Sequence, residues 1–165
     1  MKIVLLMRHA KSSWKDPGLA DHDRPLNKRG KRDAPRMGDL LNAEDLIPDA
    51  IYCSTARRAK STVDGLLKNC NFVGEVNYTE SLYHGGPDDF FEIISNLPDE
   101  IQTVMLVGHN PDMEYFLDLT CDVQEHIPTA SIAVIEFPLD NWAEITHEEE
   151  GKLVHLWKPR ELTHE

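Results

Sequence analysis

Residues 2–12 read KIVLLMRHAKS, an apolar run that ends abruptly at an arginine and a histidine. The run over residues 2–7 has the length and the continuous hydrophobicity of a strand covered on both faces. Similar short runs occur at residues 50–53 (AIYC) and 103–107 (TVMLV), and segments of helical pattern separate them. This order of strands and helices predicts an α/β fold.

The rest of the pattern completes a single domain over residues 1–165. Helices are predicted over residues 27–42, 56–68, 87–96 and 112–119, and further strands over residues 71–78, 131–137, 142–145 and 152–157. Pro35 lies inside the first helix and is expected to kink it or break it. Because the late strands have an antiparallel pattern, we predict a three-layer α/β/α sandwich around a mostly parallel central sheet.

The net charge of −12 conceals a strong asymmetry along the chain. Residues 1–60 carry a net charge of +5, whereas the remaining residues carry −17. A largely acidic surface would repel nucleic acid, so nucleic acid is not an expected partner. The concentrated basic region indicates one local anion site, unless it is only a solvated basic helix around residues 28–36.

Cysteine usage and hydropathy bear on the cellular setting. The three cysteines have no CxxC spacing, which favours reduced thiols in the cytoplasm over a disulfide framework or a cysteine zinc site. No apolar run approaches the roughly 20 residues that span a bilayer, so no membrane association is expected.

Polar residues follow three of the predicted strands at their carboxyl ends. They are RHAKS after the first strand, STARRA after the second, and GHNP after the strand over residues 103–107. In open parallel sheets, ligands bind beyond the carboxyl ends of the strands. We therefore expect these three segments to converge at one site.

The residue types in these segments suit phosphate chemistry. The imidazole of His9 can attack phosphorus, and Arg8 offers planar, permanently charged donors to phosphate oxygens. Arg57 and Arg58 begin a predicted helix, where positive charge opposes the helix dipole, which indicates a nearby anion. His109 follows a strand just as His9 does. Each of these side chains alone is equally consistent with an ordinary structural or solvated residue.

Taken together, these motifs resemble the histidine phosphatase superfamily, and in particular its compact SixA-type phosphohistidine phosphatase branch. The resemblance is carried by LMRHAKS (residues 6–12), DRPLNKRG (23–30), STARRAKST (54–62), VGHNP (107–111) and IPTASIAVIEF (127–137). It implies a phosphoglycerate mutase-like fold and a hydrolase that needs no metal or other cofactor.

The resemblance also implies roles for individual residues. His9 is the nucleophile that becomes phosphorylated, and Arg8 is the first phosphate-binding arginine. The family's second arginine precedes an alanine, which selects Arg58 over Arg57. His109 is the second pocket histidine, and a backbone carbonyl is expected to hold the spare ring nitrogen of His9.

Some positions depart from the family pattern or are less specific. Ala10 replaces a frequent glycine, and Lys15 stands where mutase-like members have asparagine after a serine that Ser12 matches. Candidate substrate-binding residues are therefore Ser12, Lys15, Asn110 and His84, the last as part of the pocket rim.

The general acid and the substrate stay open at this level. Glu80, in ESLYHGG, resembles the acid of mutase-like members, and Asp16, Asp21 and Asp23 are weaker candidates. The short stretch between Arg58 and the strand before His109 leaves room for only a small lid. The resulting open site suits a phosphate on a protein surface and also small phosphate esters, and we expect protein phosphohistidine as the substrate. The alternatives are a phosphomonoesterase or mutase-like enzyme for a small metabolite, with Glu80 as acid, and a non-catalytic phosphate-binding regulatory module.

Overall fold

The computed structural model describes residues 1–148 and 150–162 and contains one six-stranded mixed sheet. The strands are β1 (Lys2–Arg8), β2 (Ala50–Ser54), β3 (Val76–Thr79), β4 (Thr103–Gly108), β5 (Ile132–Phe137) and β6 (Lys152–Trp157), in the spatial order β3-β2-β4-β1-β5-β6. The first four strands are mutually parallel, while β5 pairs antiparallel with both β1 and β6. The mostly parallel sheet with late antiparallel strands is thus confirmed.

Four helices cover the two faces of the sheet: α1 (Lys28–Ala43), α2 (Arg57–Asn69), α3 (Pro87–Ser95) and α4 (Asp112–Cys121). Alternate residues of β1 enter different cores, because successive side chains of a strand point to opposite faces. Leu5 and Met7 pack in the core that contains residues of α1 and α2, whereas Val4 and Leu6 pack with residues of α3 and α4. This is the predicted α/β/α sandwich.

Pro35 does not break the first helix, contrary to one of the two outcomes expected from the sequence. The segment forms one continuous helix, α1, with Asn27 as its N-cap. The ring of Pro35 faces Gly65 of α2, where a missing side chain leaves room for it. Tight packing of α1 on α2 offsets the loss of one backbone hydrogen bond.

Two other sequence predictions were wrong in detail. Residues 142–145 do not form a strand, because Trp142–Glu144 is a short 3₁₀ helix. The Trp142 side chain is fully buried and its indole N–H donates to the carbonyl of Ile101 at 2.7 Å. The strand expected over residues 71–78 is shorter and begins only at Val76. Among the described residues, no helix is long and apolar enough to cross a membrane.

Candidate active site

The carboxyl ends of β1, β2 and β4 meet at one edge of the sheet and open into a pocket of about 360 Å³. The pocket is lined by Arg8, His9, Lys11, Ser12, Trp14, Asp21, Arg24, Arg58, His84, His109, Asn110 and Thr129. The structure therefore brings together the three segments that the sequence placed at this edge.

His9 lies at the base of the pocket and is only 7% exposed. Its backbone N–H donates to the carbonyl of Gly108, and its ring Nδ1 lies 2.7 Å from the carbonyl oxygen of Ala10. A carbonyl only accepts, so Nδ1 carries the proton and Nε2 keeps a free lone pair. Burial, reinforced by the nearby charge of Arg58, lowers the pKa of His9 to about 3. The ring is therefore neutral and nucleophilic at physiological pH.

Arg58 extends from the first turn of α2 and is 3% exposed. Its guanidinium donates to the Asp21 carbonyl at 2.7 Å and to the Asp21 carboxylate at 3.0 Å. Arg57, by contrast, is exposed, does not line the pocket and contacts the carbonyl of Asp23. The geometry favours Arg58 over Arg57 as the arginine of the site.

Arg8 presents a positive charge that no acidic side chain of the described chain contacts within 4 Å. One terminal nitrogen of its guanidinium donates to the carbonyl of Ile127 at 3.1 Å, and its buried Nε has no hydrogen-bond partner. Burial and the charge of Arg58 lower the pKa of Arg8, and the charge of Glu114 opposes part of this shift. A half-buried cation that no carboxylate of the described chain contacts within 4 Å favours binding of an anion.

His109 faces His9 across the pocket, with the two ring centroids 5.1 Å apart. Its Nε2 lies 2.8 Å from the hydroxyl of the buried Ser54, which also accepts from the N–H of Ala56. A terminal nitrogen of Arg58 lies 3.4 Å from Nδ1 of His109. Because a guanidinium only donates, Nδ1 accepts this hydrogen bond, and Nε2 carries the proton and donates it to Ser54. Burial lowers the pKa of His109 to about 2, so the ring is neutral at physiological pH.

The loop over residues 12–24 supplies a third arginine that the sequence reasoning did not single out. Arg24 donates to the hydroxyl of Ser12, to the carbonyl of Ser13 at 3.3 Å and to the carboxylate of Asp21 at 3.0 Å. Its guanidinium also stacks on the ring of Trp14. Arg24 is 7% exposed, and these contacts hold its permanently charged guanidinium at the pocket beside those of Arg8 and Arg58.

Asp21 is the acidic residue that lines the pocket. It accepts a hydrogen bond from Tyr83 at 2.6 Å, and that bond, with those from Arg24 and Arg58, holds the pKa of Asp21 well below its usual range. The carboxylate is therefore ionised at neutral pH and carries no proton to give to a leaving group. Asp16 and Asp23, the other acidic candidates of this loop, do not line the pocket.

The remaining predicted residues divide into two groups. Ser12, His84 and Asn110 line the pocket, although the amide nitrogen of Asn110 is engaged by Glu114 and the carbonyl of Ile127. Glu80 and Lys15 are exposed and lie outside the pocket lining. The sequence placed all five near substrate, and the structure brings only the first three to the site.

Some lining residues had a sequence signal and others had none. Arg24 lies within DRPLNKRG and Thr129 within IPTASIAVIEF, so both belonged to motifs that the resemblance used. Trp14 carried no comparable signal. Within the described part of the chain, no group of three or more His, Cys, Asp or Glu side chains is placed to hold a metal ion.

Comparisons with known proteins agree with this geometry. Residues 4–84 match the model of the histidine phosphatase superfamily (branch 1). An uncharacterized protein of Mycobacterium tuberculosis is 35% identical over 150 residues, which is 84% of this chain and 91% of the relative. The chain belongs to the histidine phosphatase superfamily. This membership supports a phosphatase that binds phosphate and a phosphorylated substrate.

Solved structures place the chain in the SixA-type branch of the histidine phosphatases. A candidate phosphohistidine phosphatase SixA from Agrobacterium tumefaciens is 29% identical, with a TM-score of 0.79 over 96% of this chain and 99% of that one. The protein histidine phosphatase SixA complexed with tungstate is 19% identical, with a TM-score of 0.83 over 98% and 99% of the two chains. At that identity it supports the fold alone, which is phosphoglycerate mutase-like, as the sequence predicted.

Proposed function

We propose that this protein is a metal-independent phosphatase that removes phosphate from phosphohistidine on a protein. The observation that carries the proposal is the hydrogen bond between His9 Nδ1 and the carbonyl of Ala10, which leaves Nε2 free among three arginines. A neutral imidazole aimed into a cationic pocket is suited to accept a phosphoryl group.

The reaction has two transfers. In the first, the lone pair of His9 Nε2 forms a bond to phosphorus while the bond from phosphorus to the substrate nitrogen breaks. The substrate leaves as neutral imidazole, because the other nitrogen of its ring carries a proton. In the second, water attacks the phosphohistidine, the bond from Nε2 to phosphorus breaks, and phosphate leaves. Arg8, Arg58 and Arg24 neutralise charge on the equatorial oxygens, and His109, whose Nδ1 accepts from Arg58, helps to hold that guanidinium at the pocket.

The surroundings of the pocket favour a nitrogen–phosphorus bond over a phosphate monoester. An alkoxide leaving group needs a proton donor, whereas the imidazole of a phosphohistidine is already a good leaving group. Glu80 is exposed and outside the pocket lining, and Asp21 is ionised. The pocket therefore offers no evident carboxylic acid to protonate an alkoxide.

Trapping of the phosphoenzyme tests the nucleophile. Brief mixing with a ³²P-labelled substrate should leave label on the wild type that is stable in alkali and lost in acid, as phosphohistidine is. His9→Asn should carry none and should not turn over, while the control His155→Asn, at an exposed histidine of β6, should behave as the wild type. Acid-labile label on His9→Asn would refute the assignment.

Competition between substrates tests the substrate class. Equal amounts of a histidine-phosphorylated protein and of common phosphate monoesters should give much faster turnover of the protein, with or without a metal chelator. Faster turnover of a monoester would contradict the protein substrate, and loss of activity with chelator would contradict metal independence.

A small-metabolite phosphomonoesterase or mutase-like enzyme is the second candidate. One observation favours it: part of the chain is similar to a 2,3-bisphosphoglycerate-dependent phosphoglycerate mutase of Cutibacterium acnes, 36% identical over 70 residues. That stretch is 41% of this chain and 28% of the mutase. A non-catalytic phosphate-binding module is less well supported, because His9, Arg8, Arg58 and His109 are all present and line one pocket.

A further inference from the structure

A basic groove lies on the surface beside the candidate active site. It consists of two adjoining depressions that share Pro25, Leu26, Lys31 and Arg57 in their lining. The cationic side chains of the groove are Lys15, Lys28, Arg29, Lys31, Arg57 and Lys68. The lining includes one carboxylate, Asp64, so the groove is strongly positive in a chain whose net charge is −12.

Most of these cations lack an acidic partner. Among the described residues, no carboxylate lies within 4 Å of the side-chain nitrogens of Lys15, Lys28, Lys31, Arg57 or Lys68, whereas Arg29 reaches Asp33 at 3.6 Å. All five are exposed. Their positive field is therefore not cancelled locally and is available to a partner.

The helix termini add to this field. The first turn of α1 contains Lys28, Arg29 and Lys31 and no acidic residue, and the first turn of α2 begins with Arg57 and Arg58, again without an acidic residue. Cations at these positions oppose the helix dipole and disfavour the helix. Because cations occupy the first turns of both α1 and α2 in spite of this cost, we infer that they bind an anionic partner.

The groove is continuous with the rim of the pocket. Ser12, Trp14 and Arg24 line the pocket, while their chain neighbours Ser13, Lys15 and Pro25 line the groove. A molecule bound in the groove would therefore reach His9 with a group that projects from its own surface.

We propose that the basic groove docks the acidic surface of the phosphorylated protein substrate, so that its phosphohistidine enters the pocket. The docking proposal rests on the proposed function, and it adds that the substrate protein is acidic and that it binds at the basic groove. Residues after position 60 carry a net charge of −17, so most other faces repel an acidic partner and the groove orients the encounter.

Charge reversal at the start of α1 separates docking from chemistry. Lys28→Glu/Lys31→Glu replaces two exposed cations outside the pocket lining, and acidic residues in a first helical turn are favourable, so the fold should be retained. The control Lys152→Glu changes an exposed lysine at the start of β6. Lys152 lies opposite Glu136 in the backbone pairing of β5 and β6, at the end of the sheet away from the pocket.

Two substrates are compared at low salt: an acidic phosphotransfer domain phosphorylated on histidine, and the small molecule phosphoramidate. We expect the double variant to lose about tenfold in kcat/KM for the acidic protein, with phosphoramidate turnover unchanged and Lys152→Glu equal to the wild type. The difference in kcat/KM between the double variant and the wild type should vanish at about 0.5 M salt, where charge interactions are screened. A histidine-phosphorylated basic histone should not show the loss.

The possible failures are distinguishable. Unchanged turnover of the acidic protein by the double variant, or equal losses on both substrates, would overturn the docking proposal while leaving the phosphatase intact. Inhibition of the wild type but not the double variant by a duplex oligonucleotide would assign the groove to nucleic acid and also overturn it. Failure of the wild type on both phosphoramidate and phosphohistidine protein would instead refute the proposed function.

Discussion

The carboxylate of Asp21 lies 3.0 Å from a terminal nitrogen of Arg58, so an acidic side chain of the protein contacts an arginine that faces the phosphate pocket. The same carboxylate contacts Arg24 and accepts from Tyr83. Asp21 therefore holds two arginines in place at the pocket, and its negative charge also opposes the entry of phosphate.

Removing that charge should strengthen phosphate binding. We expect Asp21→Asn to lower the inhibition constant of inorganic phosphate about fivefold, because a like charge about 4 Å away costs about 1 kcal/mol even in water. Competitive inhibition of turnover by phosphate at neutral pH gives this inhibition constant for the variant and for the wild type. Asp23→Asn, in the same loop but outside the pocket lining, is the matched control and should change little. Weaker phosphate binding by Asp21→Asn would mean that ordering of the arginines outweighs repulsion.

Arg24 should be as important to phosphate binding as the arginines found from the sequence. Loss of a charge-assisted hydrogen bond costs about 1.5–3 kcal/mol, so Arg24→Ala should weaken vanadate binding roughly 10- to 100-fold. Titration calorimetry with vanadate measures the affinity, and Arg160→Ala, an exposed arginine outside the pocket lining, is the control. Unaltered affinity in Arg24→Ala would exclude the residue from the phosphate site.

The sequence predicted the parts of the site that the sheet positions. His9, Arg58 and His109 follow strands β1, β2 and β4, and the carboxyl ends of parallel strands meet at one edge. Arg24 and Asp21 come from an irregular loop whose path depends on side-chain hydrogen bonds. The path of such a loop cannot be inferred from hydrophobic periodicity. Arg24 could therefore have been identified only from its place in the DRPLNKRG motif.

The reason for the glycine at the end of the DRPLNKRG motif, Gly30, is found in the packing of the structure and not in the sequence pattern. Gly30 lies in the first turn of α1, directly against the backbone of Lys11, two residues after His9. A Cβ at this position would collide with the Lys11 carbonyl. The motif thus requires glycine for the close approach of a helix to the nucleophile loop.

Gly30→Ala should accordingly displace that loop. We expect a loss of about 1–3 kcal/mol in the free energy of unfolding, as overpacking typically causes, together with a fall in turnover. Urea denaturation and steady-state kinetics measure the two effects. Gly18→Ala, in the exposed loop where the nearest atom belongs to the Asp16 side chain, should be almost neutral. Equal behaviour of the two variants would contradict the packing explanation.

Glu80 should be dispensable, given its exposed position outside the pocket lining. Turnover of a phosphate monoester by Glu80→Gln is expected to stay within about threefold of the wild type, whereas loss of a general acid costs about 10²–10⁴-fold. Glu92→Gln, on α3, serves as the control. A loss of two orders of magnitude confined to Glu80→Gln would restore the mutase-like alternative.

The two pocket histidines should make stability depend on pH. Burial lowers the pKa of His9 to about 3 and that of His109 to about 2, whereas both titrate near 6.5 in the unfolded chain. Between these values the unfolded state binds more protons than the native state, so the free energy of unfolding falls as pH falls. Well above pH 6.5 neither ring is protonated in either state, and this contribution is constant.

At pH 5 each histidine should reduce the free energy of unfolding by about 2 kcal/mol relative to pH 8. Since His109→Gln removes one of the two groups, its loss between pH 8 and pH 5 should be about 2 kcal/mol smaller than that of the wild type. Urea denaturation at the two pH values gives the comparison. His155→Gln, at an exposed histidine of β6, should follow the wild type. If His109→Gln also follows the wild type, the ring of His109 is not held neutral in the native pocket, and its assignment as a neutral acceptor for Arg58 fails with it.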